Sequence, residues 1–309
     1  MKGTDIVAYC LDANTGEIRW SVPLTGSVEG PYNYGFSDSS SPTPITDGKH
    51  VWFVNASGSM GCWTVDGEMI WHRKWTPSAK APFNKQYEPI LTGNWILNVE
   101  PLPRHDPRKR QEGERSWNYL RAIDKLTGET AWIAEDAITH YNTPILGTLD
   151  GKPYILQGRG GPHEVPERPN GLSLTKLFGD KPGQAVWHWD PQEEVPFGAL
   201  ANQHWDERHA YWLKTGQLKL AVLDSKTGNQ LHEHDLFSDA TTTLWNKSAG
   251  KYETQQEQVI RGVIDLRHTN IVADGHFYFL IRDRWQVARV NIETGKTEYL
   301  ELPLSLIHI

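Results

Sequence analysis

Three histidines, His140, His204 and His268, open corresponding segments of a pattern that runs through the chain. Neutral imidazoles converging from such positions could hold a transition metal. None of the three belongs to a His-x-His or His-x-x-x-His pair that would pre-form a site, so no metal site is assigned. Asp38, Glu88, Asn142 and Asn270 lie at or just before the same segments. They either hydrate and brace a channel or form a small-molecule or glycan site. Gln157-Gly-Arg159-Gly-Gly-Pro-His163 is glycine-rich with two basic groups. It reads as a tight loop or as a loop that contacts an anion through backbone amides, Arg159 and His163. It lacks the Gly-Lys-Ser/Thr ending of a P-loop. No Gly-x-Ser-x-Gly occurs, and Ser57-Gly-Ser59 has no positioned His–Asp partner, so no catalytic residue is assigned. Asn55-Ala-Ser57 and Asn246-Lys-Ser248 fit the glycosylation sequon, which matters only in a secreted eukaryotic protein. Cys10 and Cys62 read as small buried side chains. A disulfide between them is open, but no Cys-x-x-Cys supports thiol redox chemistry or structural zinc.

The elements that carry these groups repeat. Cys10-Leu-Asp12-Ala-Asn-Thr15-Gly16-Glu-Ile-Arg-Trp20 returns as Ala122-Ile-Asp124-Lys-Leu-Thr127-Gly128-Glu-Thr-Ala-Trp132. Further copies run from Val222 to His232 and from Arg289 to Tyr299. Asp or Asn starts a turn by bonding its own backbone, and Gly closes it with a positive φ. A large side chain follows four residues after the Gly. Upstream of each copy lie an Asp-Gly or Gly-Asn turn, an aromatic-rich strand and a polar, proline-containing segment. Strand, turn, strand, loop, strand, Asp-x-x-Thr-Gly turn, strand is the unit of a β-propeller blade. The chain has 14 Trp, 27 Gly and 19 Pro in 309 residues, which suits flat rings packed between twisted sheets and leaves little room for helices. The formal net charge is −7, and the basic run from Arg104 to Arg115 is broken by Asp106, Glu112 and Glu114, which argues against nucleic acid. No apolar run reaches the length of a membrane span.

The phrase Ala-x-Asp-x-x-Thr-Gly-x-x-x-Trp resembles the tryptophan-docking repeat of the pyrroloquinoline-quinone (PQQ)-like β-propellers. That superfamily includes the quinoprotein alcohol dehydrogenases and the propeller lipoprotein of outer-membrane protein assembly. Ala122 to Trp132 matches at every position, Cys10 to Trp20 at all but the first. Cys62 to Trp71 keeps the Trp after a shorter turn, and Leu172 to Trp187 is a worn copy. Tyr34 to Pro44 and Gly158 to His163 look like bacterial repeat proteins of the planctomycete type, mostly of unassigned function. The resemblance implies an all-β fold of about five to six four-stranded antiparallel blades, part of a seven- or eight-bladed ring. It implies blade-docking roles for Trp20, Trp71, Trp132 and Tyr299. One propeller domain is expected over 1–303. Residues 304–309 leave the pattern, match the peptide encoded by a transposon-end sequencing adapter, and are expected to be a non-native tail. Ile6 to Trp20 reads as the outer hairpin of a blade.

In quinoprotein members PQQ stacks on a Trp, often under a vicinal disulfide, beside calcium held by Glu, Asn and Asp. This chain has no adjacent Cys pair and no Cys-x-x-Cys-His haem motif. The expected function is a non-catalytic binding or scaffolding propeller of a bacterial envelope or secreted protein, without cofactor. Its protein, small-molecule or glycan ligand would sit at the propeller face, on Asp38, Glu88, His140, Asn142, Arg159, His163, His204, His268 and Asn270. The alternative is a PQQ- and calcium-dependent oxidoreductase.

Overall fold

A computed structural model describes residues 5–27, 39–77, 88–102, 117–138, 142–160, 170–192, 203–214, 217–238, 240–255, 270–281 and 286–301. Residues 302–309, with the expected tail, therefore lie outside the described residues, as do Asp38, His140, His163 and His268.

The described residues form strands in antiparallel meanders. A two-stranded sheet comes first, β1 (Ile6–Leu11) with β2 (Ile18–Leu24). The first full blade is β3 (Ile45–Thr46), β4 (His50–Asn55), β5 (Ser59–Thr64) and β6 (Met69–Lys74). The second is β7 (Ile90–Thr92), β8 (Trp95–Pro101), β9 (Asn118–Asp124) and β10 (Thr130–Ala137). The third is β11 (Ile145–Leu149), β12 (Lys152–Gly158), β13 (Leu172–Lys176) and β14 (Ala185–Trp189). The fourth is β15 (Gln203–Trp205), β16 (His209–Lys214), β17 (Lys219–Asp224) and β18 (Gln230–Asp235). A hairpin follows, β19 (Ala240–Asn246) and β20 (Lys251–Gln255), before the fifth blade of β21 (Ile271–Ala273), β22 (His276–Ile281), β23 (Gln286–Asn291) and β24 (Thr297–Glu301). The expected propeller blades are present. No helix among the described residues is long and apolar enough to cross a membrane.

The β19–β20 hairpin was not expected. β19 pairs in parallel with β24, so the last sheet has six strands. Its turn repeats the common turn without the threonine. The Gly250 amide donates to the Asn246 carbonyl at 2.9 Å, and the Ser248 and Ala249 amides donate to Asn246 Oδ1 at 3.0 Å. The Asn246 sequon is thus part of a hairpin turn.

The turn explains the repeated phrase. In the copy at 124–129, the Leu126 and Thr127 amides donate to Asp124 Oδ1 at 2.9 Å. The Gly128 amide reaches the Asp124 carbonyl, and the Asp124 amide the Glu129 carbonyl. That path needs left-handed backbone at the glycine, where φ is 75°; Gly16, Gly228 and Gly295 repeat it at 71–74°. The sequence-based turn is present in all four copies spelled Asp/Asn-x-x-Thr-Gly.

The core is divided among the seams where consecutive sheets face each other. Trp52, Met60, Cys62 and Trp71 of the first blade pack with Ile96 and Ile123 of the second. Leu156, Leu174 and Trp187 of the third pack with Trp212 and Leu223 of the fourth. Tyr211 and Val222 of the fourth pack with Phe277, Val290 and Tyr299 of the fifth. Both cysteines are free; Cys62 is buried, and burial pushes its thiol up to about 12.

Candidate functional site: blade seams and the long-loop side

A recurring contact crosses the seams. Trp71 Nε1 donates to the Lys125 carbonyl at 2.9 Å, while its ring lies where a Cβ on Gly128 would sit, 2.7 Å away. Trp187 does the same to the Ser225 carbonyl (2.8 Å) and Gly228 (2.6 Å). Trp20 does so to the Val65 carbonyl (3.0 Å) and Gly67 (2.9 Å). The carbonyl always belongs to the residue after the one that opens the turn. Glycine is required twice over here, by φ and by the ring pressed against it. Trp132 covers Gly183, but its Nε1 has no hydrogen-bond partner among the described residues. That seam gains two other bonds, from the Glu135 amide to the Gly183 carbonyl and from the Ala185 amide to Glu135 Oε2.

Tyr299 lies between blades but faces the preceding one, not a following one. In the earlier hairpins one extra residue bulges out just after the turn, so the aromatic pairs with the residue two before the turn-opening Asp or Thr: Trp20 with Cys10, Trp71 with Cys62, Trp132 with Ala122. β24 has no such bulge, and Tyr299 pairs with Ala288, three before Asn291. A one-residue slip turns a side chain to the other face of the sheet. Tyr299 therefore packs backward, stacks on Phe237 and donates to the Leu236 carbonyl at 2.8 Å. Arg289 and Glu298, joined at 2.7 Å, pair at the intervening position.

The fourth blade replaces the indole by two histidines. His232 holds the aromatic position and stacks on His234 with ring centroids 5.5 Å apart. His234 Nε2 donates to the Ile292 carbonyl at 2.7 Å, and its ring lies against Gly295.

Each blade being a meander, its first and third turns emerge on one side. The connection between second and third strands, and the link to the next blade, emerge on the other. The side of short turns is tied across seams by Lys125–Asp47 (3.1 Å) and Lys226–Asp150 (2.7 Å). The described candidate residues Glu88, Asn142, Arg159, His204 and Asn270 belong to the other side. Glu88 is exposed and its Oε2 accepts the Thr43 amide of the preceding blade at 2.6 Å. Gln203 makes the corresponding tie, from Nε2 to the Thr143 carbonyl at 2.9 Å. Asn142 is fully buried and accepts the Gly158 amide at 2.9 Å. Asn270 is buried as well. His204 is half-buried; burial lowers its pKa more than Asp206 raises it, which keeps the ring neutral near pH 7.

Charged groups collect where the seams approach that side. Asp136 of β10 meets Arg159 at 3.3 Å and His188 Nε2 at 2.8 Å. Burial opposes ionisation of Asp136, but the His188 hydrogen bond and the neighbouring Arg159 guanidinium outweigh it and lower its pKa. Between the first two blades Glu100 is almost wholly buried; it meets Arg73 at 2.9 Å, Arg121 at 3.1 Å and Asn98 Nδ2 at 2.9 Å. Of these groups only Arg159 was singled out from the sequence. The others sit on strands far apart in the chain, and alternation alone does not mark which polar strand residues will meet.

Residues 5–159 match the family model described as outer membrane protein assembly factor BamB. Among solved structures, BamB from Moraxella catarrhalis is 13% identical over 84% of this chain and 63% of its own, with a TM-score of 0.45. A europium-containing methanol dehydrogenase is 11% identical over 96% of this chain and 62% of its own, TM-score 0.49. Quinohemoprotein alcohol dehydrogenase from Comamonas testosteroni is 13% identical over 92% of this chain and 49% of its own, TM-score 0.49. This chain thus spans between 49% and 63% of the length of these structures. No curated protein matched. The family match spans half the sequence and agrees with the repeated turn and the four-stranded blades: the chain belongs to the PQQ-like β-propeller family that this BamB model describes.

Proposed function

We propose that this chain is a non-catalytic propeller module of the bacterial envelope, or of a secreted protein, that binds a protein partner or a glycan through its long-loop side. The observation that carries this reading is the asymmetry between the two sides. Short turns locked to one another occupy one. On the other stand polar groups held in fixed positions by the seams: Glu88 on the Thr43 amide, and Arg159 with Asp136 and His188. Pre-positioned charged and aromatic groups recognise a partner at low ordering cost. Membership of a family described by an outer-membrane assembly factor supports the envelope location.

This reading is without calcium-bound PQQ; what supports it is that two carboxylates on this side are already paired, Glu100 with two arginines and Asp136 with Arg159 and His188.

The test uses photo-crosslinking residues at Glu88 and Arg159, and separately at Asp47 and Lys226, in the protein exported to a bacterial periplasm. Crosslinks to a discrete partner confined to the first pair support the proposal. Equal yields from both pairs, or PQQ- and calcium-dependent dye reduction by the purified protein, overturn it.

A further inference from the structure

The seam between the first and second blades differs from the others at its long-loop end. Two residues after the seam aromatic, the second, third and fourth blades have Ala134, Trp189 and His234, and the first has Arg73. Two residues further on they have Asp136, Pro191 and Leu236, and the first has Trp75. Trp75 packs against the core of this seam, and Arg73 reaches across it to Glu100.

Glu100 is fully used. It meets Arg73 Nη2 at 2.9 Å, Arg121 Nε at 3.1 Å and Asn98 Nδ2 at 2.9 Å. Arg121 donates its other nitrogens to Thr130 Oγ1 at 3.0 Å and to the Pro101 carbonyl at 3.1 Å. Among the described residues, then, two guanidinium groups meet one carboxylate. Arg73 Nη1 is buried and has no hydrogen-bond partner among the described residues, and the same holds for Trp75 Nε1. Both atoms are donors, so what they lack is an acceptor. The Arg73 guanidinium lies 6.0 Å from the centre of the Trp75 ring, which puts both donors at one place. The Trp75 backbone is fixed there, its amide donating to the Gly58 carbonyl at 2.9 Å and its carbonyl accepting Ser27 Oγ at 2.5 Å.

A buried donor without an acceptor is costly, and folded proteins meet such a group with a water or an ion. A water would satisfy the donors and leave the second guanidinium without a counter-charge. An anion answers both needs. Two separate directed donors suit a group with two oxygens better than a halide with one centre.

We propose that the long-loop end of this seam is a carboxylate-binding site, where Arg73 Nη1 and Trp75 Nε1 donate to the oxygens of the ligand. The carboxylate belongs to a free organic acid or to an acidic residue of a partner. The Arg73 side chain keeps 17% of its surface exposed, so the guanidinium is reachable from solvent. The site is independent of the partner surface proposed above, since a free acid suffices to fill it.

The whole chain is titrated with sodium acetate and followed by NMR at the backbone amides of residues 73 to 75. Matched additions of sodium chloride and of acetamide are the controls. The amide of N-acetylglutamate, titrated in parallel, separates the two sources: a response like that of acetate admits a partner's side chain, and a response to acetate alone restricts the site to free acids. The proposal predicts saturable acetate binding that Arg73→Gln abolishes. Trp75→Phe keeps a ring and loses one donor to a charged group, so binding should be about tenfold weaker. Trp75→Phe carries the test if Arg73→Gln fails to fold. No saturable response to acetate, an equal response to chloride or acetamide, or unchanged affinity in Trp75→Phe overturns the proposal.

Discussion

The seam between the first and second blades and the seam between the fourth and fifth use one backbone design with different side chains. In the first, Trp71 fills the space over Gly128 and bonds the Lys125 carbonyl, and Trp52 Nε1 donates to the same carbonyl at 3.0 Å. In the second, His232 and His234 share what one indole does elsewhere, and Tyr299 returns from the fifth blade to fill the remaining volume. The constant part is the turn, with its left-handed glycine and carbonyl acceptor. The variable part is which sheet supplies the ring. A seam needs apolar volume over the glycine and a donor for the carbonyl, and it accepts these from more than one source.

Substitutions can break this comparison. Trp71→Ala removes a ring that is 9% exposed at the seam and should cost about 3–5 kcal/mol, as large-to-small core changes do. Chemical denaturation of the variant measures it. His234→Ala should cost less, roughly 1 kcal/mol for the lost hydrogen bond plus a smaller contact loss, because Tyr299 still fills the fourth seam. If His234→Ala proves the more damaging, the two-source account of that seam is wrong.

The charged seams should respond to acid. Asp136 is held below the usual carboxylate pKa, so the folded state favours its ionised form. The stability it contributes is present above the unfolded value near about pH 4 and is lost as pH falls through the lower folded value. Urea midpoints measured from pH 6 to pH 2 should fall more steeply for the native chain than for Asp136→Asn. Parallel slopes would show that the carboxylate contributes nothing there. The smallest effect should come from Tyr299→Phe, which keeps the ring and loses the bond to the Leu236 carbonyl, for about 1 kcal/mol.

Much of this was legible in the sequence, because the turn is local. Asp124 bonds amides two and three residues away, so its spelling fixes its shape. The bulge was not legible. Gly295-Lys-Thr-Glu-Tyr299 has the same spacing as Gly128-Glu-Thr-Ala-Trp132, yet β24 pairs without the extra residue, and only strand pairing shows that Tyr299 faces the other way. The β19–β20 hairpin escaped because its turn is spelled Asn-x-x-Ala-Gly and its strands are rich in threonine rather than large apolar residues. Of the candidate site, Glu88, Arg159 and His204 were legible as polar residues at unusual places. Their companions Asp136 and His188 were not, since contact between separate strands is a property of the packed seam. Asn142, chosen as a ligand group, bonds the Gly158 amide inside the blade.

The central claim is that ring and glycine act as one unit across each seam. A double-mutant cycle tests it directly, with Trp71→Ala, Gly128→Ala and the double variant measured by denaturant unfolding beside Gly16→Ala. In the native background Gly128→Ala should be the costlier of the two glycine changes, since it adds a clash with the Trp71 ring to the strain of a non-glycine residue at positive φ. In the Trp71→Ala background its cost should fall to that of Gly16→Ala, giving a coupling within the range of about 0.5–3 kcal/mol seen for residues in contact. Strictly additive costs would contradict the docking account, because they would mean that the ring and the glycine do not meet.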